Sequence, residues 1–382
     1  MTNNWEQKDW LRFQYNESEF TELALQFVAL AGESQGYVQS LSGNEQSETI
    51  ISILVKEAIK SSAIEGENLS REDLVSSIRK NLGYPTPSFR IKDKRAEGIA
   101  ILLVKARENI DDDLTEIQLF EWHNLLMMGN ISINNGQYRS HSEPMQVVSG
   151  AIGKEIVHFE APPSVRVPEE MRLFIVWFNK TKPNGESPIA NLLVRASIAH
   201  LYFETINPFE DGNGRIGRII AEKTLAQGLK RPILMSLSTA IEADKKSYYS
   251  ALKKAQRTND LTEWIHYFSK TIFKAQQDFK ETIDFLVKKT SFFERYQSQL
   301  NEAQTKVINK MLENGETEFI GGMNARRYQS ITQVSKATAT RHLQNLVEKG
   351  ILVSHQKGRS TNYQVNMVEL AFANKFGLLF SW

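Results

Sequence analysis

Apolar residues recur at intervals of three and four positions along most of this chain, which is the period of a helix with one buried face. Among the segments with this pattern, 240–255 and 264–275 are expected to be helices that close the core. The pattern predicts a mainly α protein, in which methionine and aromatic side chains at these spacings belong to the core. The clearest stripes occupy segments 20–31, 50–59, 99–104, 119–127, 171–178 and 192–203.

The stretch from 143 to 163 departs from the helical period. Two short β-like runs, Met145 to Val148 and Ile156 to Phe159, flank Ser149 to Lys154, a segment of turn composition. Two such runs around a turn predict a β-hairpin. The expected fold class is therefore mainly α with one hairpin at 145–159.

The composition changes again after Phe293. Glu294 to Glu313 is expected to form a charged connecting helix. A helix, a turn, a second helix and two strands around a turn should follow, and this order resembles a winged helix-turn-helix domain. These elements are predicted at 324–332, 334–336, 338–347, 351–355, 358–360 and 363–365.

The length of 382 residues is sufficient for two or three domains. We expect three of them. The first is a helical N-terminal extension at 1–95, and the second is a core domain at 96–290. The third combines a linker helix with the winged helix-turn-helix domain at 291–382.

Charge and cysteine content narrow the function classes. The net charge is +1, so no overall field favours nucleic acid or a membrane, and any basic patch is local. The chain has no cysteine, which excludes disulfides and thiolate metal sites and fits a reducing compartment. Without a signal-peptide pattern or a run of ~20 apolar residues, a cytoplasmic protein with no membrane span is expected.

The densest group of polar residues lies at 207–218, where an apolar helical stretch begins. Asp211 to Gly214 has the composition of a tight turn, and a turn entering a helix leaves backbone N–H groups that attract an anion. Arg215 and Arg218 are spaced to lie on one face. The segment predicts a phosphate site with Asp211 as a ligand for Mg²⁺. The plain alternative is a helix capped by Asp211 or Asn213 beside two solvated arginines.

The run Pro208-Phe209-Glu210-Asp211-Gly212-Asn213-Gly214-Arg215-Ile216-Gly217-Arg218 resembles the signature of the Fic family. Every specified position agrees except the first, which is a histidine in the family and Asn207 here. Gly136 to Arg139 and Ala199 to Glu204 also resemble the family's sequence around the signature. The resemblance implies transfer of AMP from ATP to a Ser, Thr or Tyr hydroxyl of a target protein. Some members use another nucleotide or a phosphocholine donor, and some remove AMP.

The resemblance also implies a role for each position. Asp211 would bind Mg²⁺, and Phe209 would anchor the loop in the core. The hairpin at 145–159 would be the flap, on which the target protein docks as an added strand. Tyr248 or Tyr249 would approach the nucleotide base, although a place in the core is the favoured interpretation for both. The phosphates of ATP would be bound by Gly212, Asn213, Gly214, Arg215 and Arg218.

Ser61-Ser62-Ala63-Ile64-Glu65-Gly66 resembles the inhibitory motif of the same family. By that resemblance Glu65 pairs with Arg218 and occupies the space that the γ-phosphate needs. A carboxylate there opposes the phosphate both by occupancy and by repulsion. Gly66 alone would also be explained as a helix C-cap.

Asn207 has no basic group that could take the proton of an attacking hydroxyl, so weak or absent activity is expected. Three interpretations are open. The residue is an engineered substitution that traps a complex, a natural change in a silent nucleotide-binding protein, or a position whose role another group takes. His200 and His158 are the candidates for that group, and His200 is favoured as a core histidine. Glu65 could also position a water for removal of AMP, but that reaction usually needs the histidine as well.

The C-terminal unit carries a local excess of basic residues. If it is a winged helix, Ser335, Thr338 and Arg341 lie early in its recognition helix, and Arg359 lies in the turn between its strands. DNA binding and protein docking are equally supported. The chain is therefore either an autoinhibited adenylyltransferase or a nucleotide-responsive regulator that acts through this domain. A homodimer is also open.

Overall fold

The structure is a computed structural model, and it describes residues 2–85, 91–130, 133–149, 156–312, 322–355 and 361–367. The chain divides into two compact units, Met1–Phe279 and Lys280–Trp382, and each is described by itself. The described residues contain no helix that is long and apolar enough to cross a membrane.

Ten α-helices lie wholly within the described part of the first unit, and most begin at a polar residue whose side chain accepts a backbone N–H. Ser42 and Glu45 form a capping box at the start of α2, and Asn191 caps α7. The helices are α1 (Thr21–Ser40), α2 (Gly43–Ile64), α3 (Arg71–Asn81), α4 (Lys94–Lys105), α5 (Glu116–Leu126), α6 (Val167–Lys180), α7 (Leu192–Ile206), α8 (Asn213–Leu229), α9 (Leu237–Ala243) and α10 (Lys245–Ala255).

The centre of this unit is the pair α7 and α8. Every residue of α7 is buried, including Arg195, which donates to the side chains of Thr181 and Gln227 at 3.1 and 2.9 Å and to the carbonyl of Phe178 at 2.7 Å. A helix that is enclosed on all sides can carry polar residues only when they find such partners. The apolar side chains of α2 to α6 pack around this pair and complete the core.

Two predicted helices differ from the observed ones. The segment 240–255 is not one helix, because Asp244 interrupts it and its side chain caps α10 by accepting the N–H of Ser247 at 3.2 Å. The connecting helix predicted at 294–313 is also wrong. α11 (Thr262–Tyr296) ends inside this segment, and α12 (Glu302–Met311) begins after the capping box that Asn301 forms with Gln304.

The hairpin predicted at 145–159 is present. β1 (Gln146–Ser149) and β2 (Ile156–Glu160) pair antiparallel, with an irregularity between Val147 and Val148. The turn at 150–155 lies outside the described residues. Phe159 is buried, so the base of the hairpin is anchored in the unit.

The second unit contains α12, α13 (Ala325–Thr332), α14 (Lys336–Glu348), β3 (Leu352–His355) and β4 (Asn362–Val365). The two strands pair antiparallel, and Met323 adds a bridge to Tyr363. These elements fall where the sequence predicts them, and turn 358–360 lies outside the described residues. The winged-helix assignment itself stays a prediction.

Candidate functional site

The loop from Asn207 to Gly212 joins the two central helices, and its geometry depends on two positive φ angles. Asn207 ends α7 with φ 51°, a conformation that asparagine tolerates better than most residues, and Gly212 precedes α8 with φ 81°. A Cβ atom on Gly212 would lie 2.4 Å from Cε of Met127, so a glycine is needed there for space as well. The loop therefore enters α8 close to the body of the protein.

Phe209 and Asn213 fix the loop from inside. Phe209 is fully buried, and its ring stacks on His123 with centroids 4.1 Å apart. The side-chain amide of Asn213 accepts the N–H of Phe209 at 2.9 Å and donates to its carbonyl at 2.8 Å. The anchor predicted for Phe209 is thus in place. The amide of Asn213, predicted in the phosphate cradle, is used by the loop, which leaves the backbone of this residue for a ligand.

Glu65 and Arg218 lie together at the start of α8. Oε1 of Glu65 is 2.9 Å from Nη2 of Arg218, and this guanidinium also donates to the hydroxyl and the carbonyl of Ser61 at 3.0–3.1 Å. Glu65 is the C-cap of α2, and Gly66 follows with φ 82°, which turns the chain away after the carboxylate. Arg218 is 1% exposed, so the pair is largely withdrawn from water on the arginine side.

The carboxylate of Glu65 also lies against the backbone of the first turn of α8. A Cβ atom on Gly214 would be 2.6 Å from Oε1 of Glu65, which only the absence of a side chain permits. The N–H groups of a first helical turn lack partners within the helix and attract anions. Glu65 therefore occupies the place in which this helix would receive an anionic ligand.

Arg215 lies three residues nearer to the N-terminus of α8 than Arg218, is also buried, and has two carboxylate partners. Its guanidinium is 2.7 Å from Oε1 of Glu67 and 3.1 Å from Oδ2 of Asp211. Glu67 was not predicted from the sequence, because only its position two residues after Glu65 hints that it reaches the same helix. Both arginines of the signature are thus paired by carboxylates from the segment that follows α2.

Comparison with known proteins identifies two segments of the chain. The model of the Fic/DOC family matches residues 113–225, and that of a Domain of unknown function (DUF4172) matches residues 3–84. Residues 113–225 therefore form a domain of the Fic/DOC family. The first match contains the loop, the hairpin and α5 to α7, and the second contains α2 with Glu65.

Two curated relatives of this chain are named as protein adenylyltransferases. A probable one from Aquifex aeolicus is 31% identical over 98 residues, or 26% of this chain, and one from Caenorhabditis elegans is 23% identical over 211 residues, or 54% of this chain. The matches span 27% and 37% of those relatives' lengths, so less than half of each relative is compared.

Two solved structures have the same fold. A Fic family protein from Desulfovibrio desulfuricans has a TM-score of 0.51 at 22% identity and covers 90% of this chain and 96% of its own. A Fic domain containing signaling protein from Bacteroides thetaiotaomicron has a TM-score of 0.50 at 19% identity and covers 69% and 97%. The mainly helical Fic fold expected from the sequence is confirmed.

Within the Fic domain, His123 supports the loop from below and was missed by sequence reasoning. It is fully buried, accepts the N–H of Gly136 at Nδ1 (2.9 Å) and faces the carbonyl of Asp211 with Nε2 (3.2 Å). Because Nδ1 accepts, Nε2 carries the proton and donates. Burial lowers the pKa of His123 to about 4, so the ring stays neutral. Its one signal was a polar residue inside the apolar stripe 119–127.

Arg139 holds the other end of the loop. Its buried guanidinium donates to the carbonyls of Asn207 and Ile206 at 2.8 and 3.2 Å, to Pro162 and to the hydroxyl of Ser164. Burial lowers its pKa to about 10, which still leaves it charged at neutral pH. The sequence marked Arg139 through its resemblance to the family but gave it no role. The structure shows that it joins the loop to the chain leaving the hairpin.

His200, one of the two candidates to replace the histidine base, lies in the core and not at the loop. His200 is fully buried, bonds through Nε2 to the hydroxyl of Tyr248 at 2.7 Å and stacks on Phe268. Burial lowers its pKa to about 3, so His200 is a neutral core histidine. Tyr248 is likewise in the core, whereas Tyr249 is 36% exposed near Glu65, whose charge together with burial raises the pKa of its hydroxyl. The side chain of His158 lies outside the described ones.

A divalent cation would have Asp211 as its protein ligand. The side chain of Asp211 is 49% exposed at the mouth of the site, and its Oδ1 accepts the N–H of Gly212 at 2.6 Å. Among the described residues no group of three or more histidine, aspartate or glutamate side chains could hold a metal. One exposed carboxylate beside a predicted phosphate site fits Mg²⁺, which commonly takes one or two carboxylates and completes its shell with phosphate oxygens and water.

The residues predicted to touch DNA belong to the second unit. Ser335 is the N-cap of α14, and its hydroxyl accepts the N–H of Thr338 at 3.2 Å and bonds to the hydroxyl of the same residue. Both hydroxyls therefore take part in capping the helix. Arg341 is exposed on α14, and Arg359 lies outside the described residues.

Proposed function

We propose that this protein transfers AMP from Mg·ATP to a hydroxyl of a target protein, that Glu65 inhibits the reaction, and that Asn207 keeps the activity low. The observation that carries the proposal is the position of the Glu65 carboxylate, which lies against Gly214 and 2.9 Å from Arg218. A site that holds one anion at a helix N-terminus beside a buried arginine can hold a phosphate. The names of the curated relatives support the same reaction.

The chemistry can be divided among the residues present. The first turn of α8 with Arg215 and Arg218 would bind the phosphates, and Asp211 would hold Mg²⁺, which neutralises charge and orients the phosphates. The target hydroxyl attacks the α-phosphorus, the bond from that phosphorus to the bridging oxygen breaks, and pyrophosphate leaves. The hydroxyl proton has to go to a base.

Asn207 stands where the base would act and cannot take that proton. Its amide can accept a hydrogen bond from the hydroxyl and orient it, so the proton would pass to water. Loss of a general base typically lowers the rate by ~10²–10⁴. Positioning and phosphate neutralisation are retained, which leaves a weak transferase.

Glu65 would inhibit by occupancy and by charge. Its carboxylate holds Arg218 and covers the start of α8, so a phosphate can enter only after the carboxylate has moved. Two anions at this spacing repel each other strongly in a partly buried site. The target protein would dock on the hairpin as an added strand, where the edge of β1 or β2 supplies backbone partners.

Transfer of label from ATP tests the proposal. The unsubstituted chain, Asn207→His, and Asn207→His with Glu65→Gly should label a lysate protein or the chain itself with increasing strength. Arg218→Ala in the double variant is the control, because it keeps the base and loses the phosphate contact. If the double variant labels nothing, the transferase proposal is wrong. If the unsubstituted chain labels as strongly as Asn207→His, the missing base at Asn207 does not limit the reaction.

A nucleotide-responsive regulator is the second candidate, and the observation that favours it is that Asn207, a residue without basicity, ends α7 directly before the loop that enters α8. In this case ATP would change what the second unit binds, with Lys336 and Arg341 on the exposed surface of α14 as contacts. Gel shifts on genomic fragments across a salt series, with and without ATP, separate the possibilities. Binding without salt dependence, or none, would favour docking of a protein instead of DNA.

A further inference from the structure

Residues 3–10 run along the first unit before α1 begins, and we call them the strap. They contain a short 3-10 helix, Asn4–Glu6, closed by a capping box between Asn3 and Glu6. The strap belongs to the segment that matches the domain of unknown function, which also delivers Glu65. Its contacts reach the hairpin on one side and the end of α7 on the other.

The first set of contacts joins the strap to the base of the hairpin. The indole N–H of Trp5 donates to the carbonyl of Glu160, the last residue of β2, at 2.8 Å. The guanidinium of Arg166 lies over the ring of Trp5, 5.2 Å from its centroid, and pairs with Glu170. The indole N–H of Trp10 donates to the same buried carboxylate at 2.9 Å.

The second set joins the strap to the last turn of α7. Asn4 is buried, donates its backbone N–H to the carbonyl of Gln256 at 2.9 Å and reaches the hydroxyl of Thr205 at 3.4 Å. Gln256 in turn donates to the carbonyl of Glu204 at 3.1 Å. The ring of Trp10 packs edge-on against Tyr202. All three partners on α7 lie within five residues of Asn207.

The hairpin is therefore attached to the signature loop at two places. Arg139 makes the first attachment, from Pro162 and Ser164 to the carbonyls of Ile206 and Asn207. The strap makes the second, from Glu160 to Thr205. A β-hairpin of two strands is marginal by itself, so its position depends on such attachments.

We propose that the strap is a positioning element, in which Trp5 fixes the hairpin relative to Asn207 and thereby sets how a target protein is presented to the loop. Nucleotide binding is left unchanged, because no described strap residue contacts Asp211, Arg215 or Arg218. This inference rests on the proposed function for its consequence but not for its geometry. It gives the segment of unknown function two tasks at one site: the strap holds the hairpin, and α2 places Glu65.

Hydrogen exchange tests the geometry without any activity. Trp5→Ala should accelerate exchange of the amides at 156–161 about tenfold, since it removes a hydrogen bond and a cation–π contact. Trp5→Phe keeps a ring for Arg166 and loses the donor, so a smaller acceleration is expected. Asn179→Ala is the matched control, because it removes two hydrogen bonds to the backbone of Leu114 and leaves the hairpin untouched.

Two exchange results would overturn the proposal. One is unchanged exchange at 156–161 in folded Trp5→Ala. The other is acceleration spread evenly over the first unit, as Asn179→Ala would produce by lowering the stability, since this indicates a structural role alone.

The consequence is measured in the background Asn207→His with Glu65→Gly. Adding Trp5→Ala should lower the rate of self-labelling about tenfold, while calorimetry gives the same Kd for ATP within twofold. A changed Kd, or an unchanged rate, contradicts the positioning role. If the background variant itself does not label, the proposed function has failed, and the exchange experiment still decides whether the strap fixes the hairpin.

Discussion

Asn207 and Arg218 lie at the two ends of the segment that resembles the Fic signature. A different feature at each end would limit the proposed reaction. The Asn207 end is complete as a scaffold, since Arg139 fixes the backbone carbonyls and the strap holds the preceding turn, but its side chain has no basicity. The Arg218 end has the chemistry for binding a phosphate, but Glu65 and Ser61 occupy the guanidinium. Under the proposed function, the first end lacks a base and the second is occupied by a competitor for the phosphate. Full activity would then need two independent changes.

The largest effect is expected at the Asn207 end. Asn207→His in the Glu65→Gly background should raise the rate of AMP transfer by ~10²–10⁴, the usual worth of a general base. The backbone should accept the change, because Arg139 bonds to carbonyls and not to the side chain. The measurement is single-turnover labelling, with Asn207→Gln as a control that adds size without basicity. An equal gain with glutamine would show that position and not proton transfer limits the reaction.

A second carboxyl at the Arg218 end gives the next effect, on stability. Glu204 is buried, and Oε1 has no hydrogen-bond partner among the described residues. Burial, opposed by Arg218 and reinforced by Glu65, raises its pKa to about 8. The folded state therefore keeps a proton that the unfolded chain loses above about pH 4.5, so stability falls as the pH rises from 4.5 to 8.

Glu204→Gln should flatten this fall, by up to about 1.4 kcal/mol per pH unit within the window. Urea unfolding at pH 5, 6, 7 and 8 measures it. Glu222 is the matched control, since burial raises its pKa to about 8 as well, but Glu65 is not among the causes. Glu65→Gly should narrow the pH range over which Glu204 lowers the stability, and it should leave the corresponding range of Glu222 unchanged. If Glu65→Gly changed the pH range of both carboxyls equally, the charge of Glu65 would have no specific effect on Glu204.

Much of this site follows from the sequence, and the reasons are local. The turn at 211–214 and the spacing of Arg215 and Arg218 are readable because they lie within one short segment. The pairing of Glu65 with Arg218 came from a resemblance, since the two lie far apart in the chain. His123, Arg139 and Glu67 could not be given roles, because each acts through a partner that only the fold brings near.

The fold was predictable to a similar degree. Periodicity found the buried stripes, but it says nothing about a break inside a helical pattern, which is why Asp244 and Asn301 were overlooked. Both residues are strong N-caps, and caps followed by a polar third residue were the available signal. The strap has no period, so its role was visible only from its contacts.

Removal of Glu65, the proposed competitor at the Arg218 end, should have a smaller effect than restoring a base at Asn207. Glu65→Gly should tighten binding of ATP by about tenfold, since it frees the guanidinium and removes a repelling charge. Glu65→Gln keeps the size and removes the charge, so an intermediate Kd is expected. Calorimetric titration measures both. Equal affinity for all three chains would show that Glu65 does not compete with the phosphates.

The smallest effect is expected when Glu67, the partner of Arg215, is replaced. Glu67 pairs with Arg215 much as Glu65 pairs with Arg218, but Asp211 remains as a second partner of Arg215 after Glu67 is removed. Because Arg215 keeps this carboxylate partner, Glu67→Gln should change the Kd for ATP by no more than about fivefold, which corresponds to about 1 kcal/mol. The same titration, at low and high salt, checks it. If Glu67→Gln changed the Kd for ATP as much as Glu65→Gly, the competition with phosphate would involve both arginines. The pair of Glu65 and Arg218 would then have no special part in it.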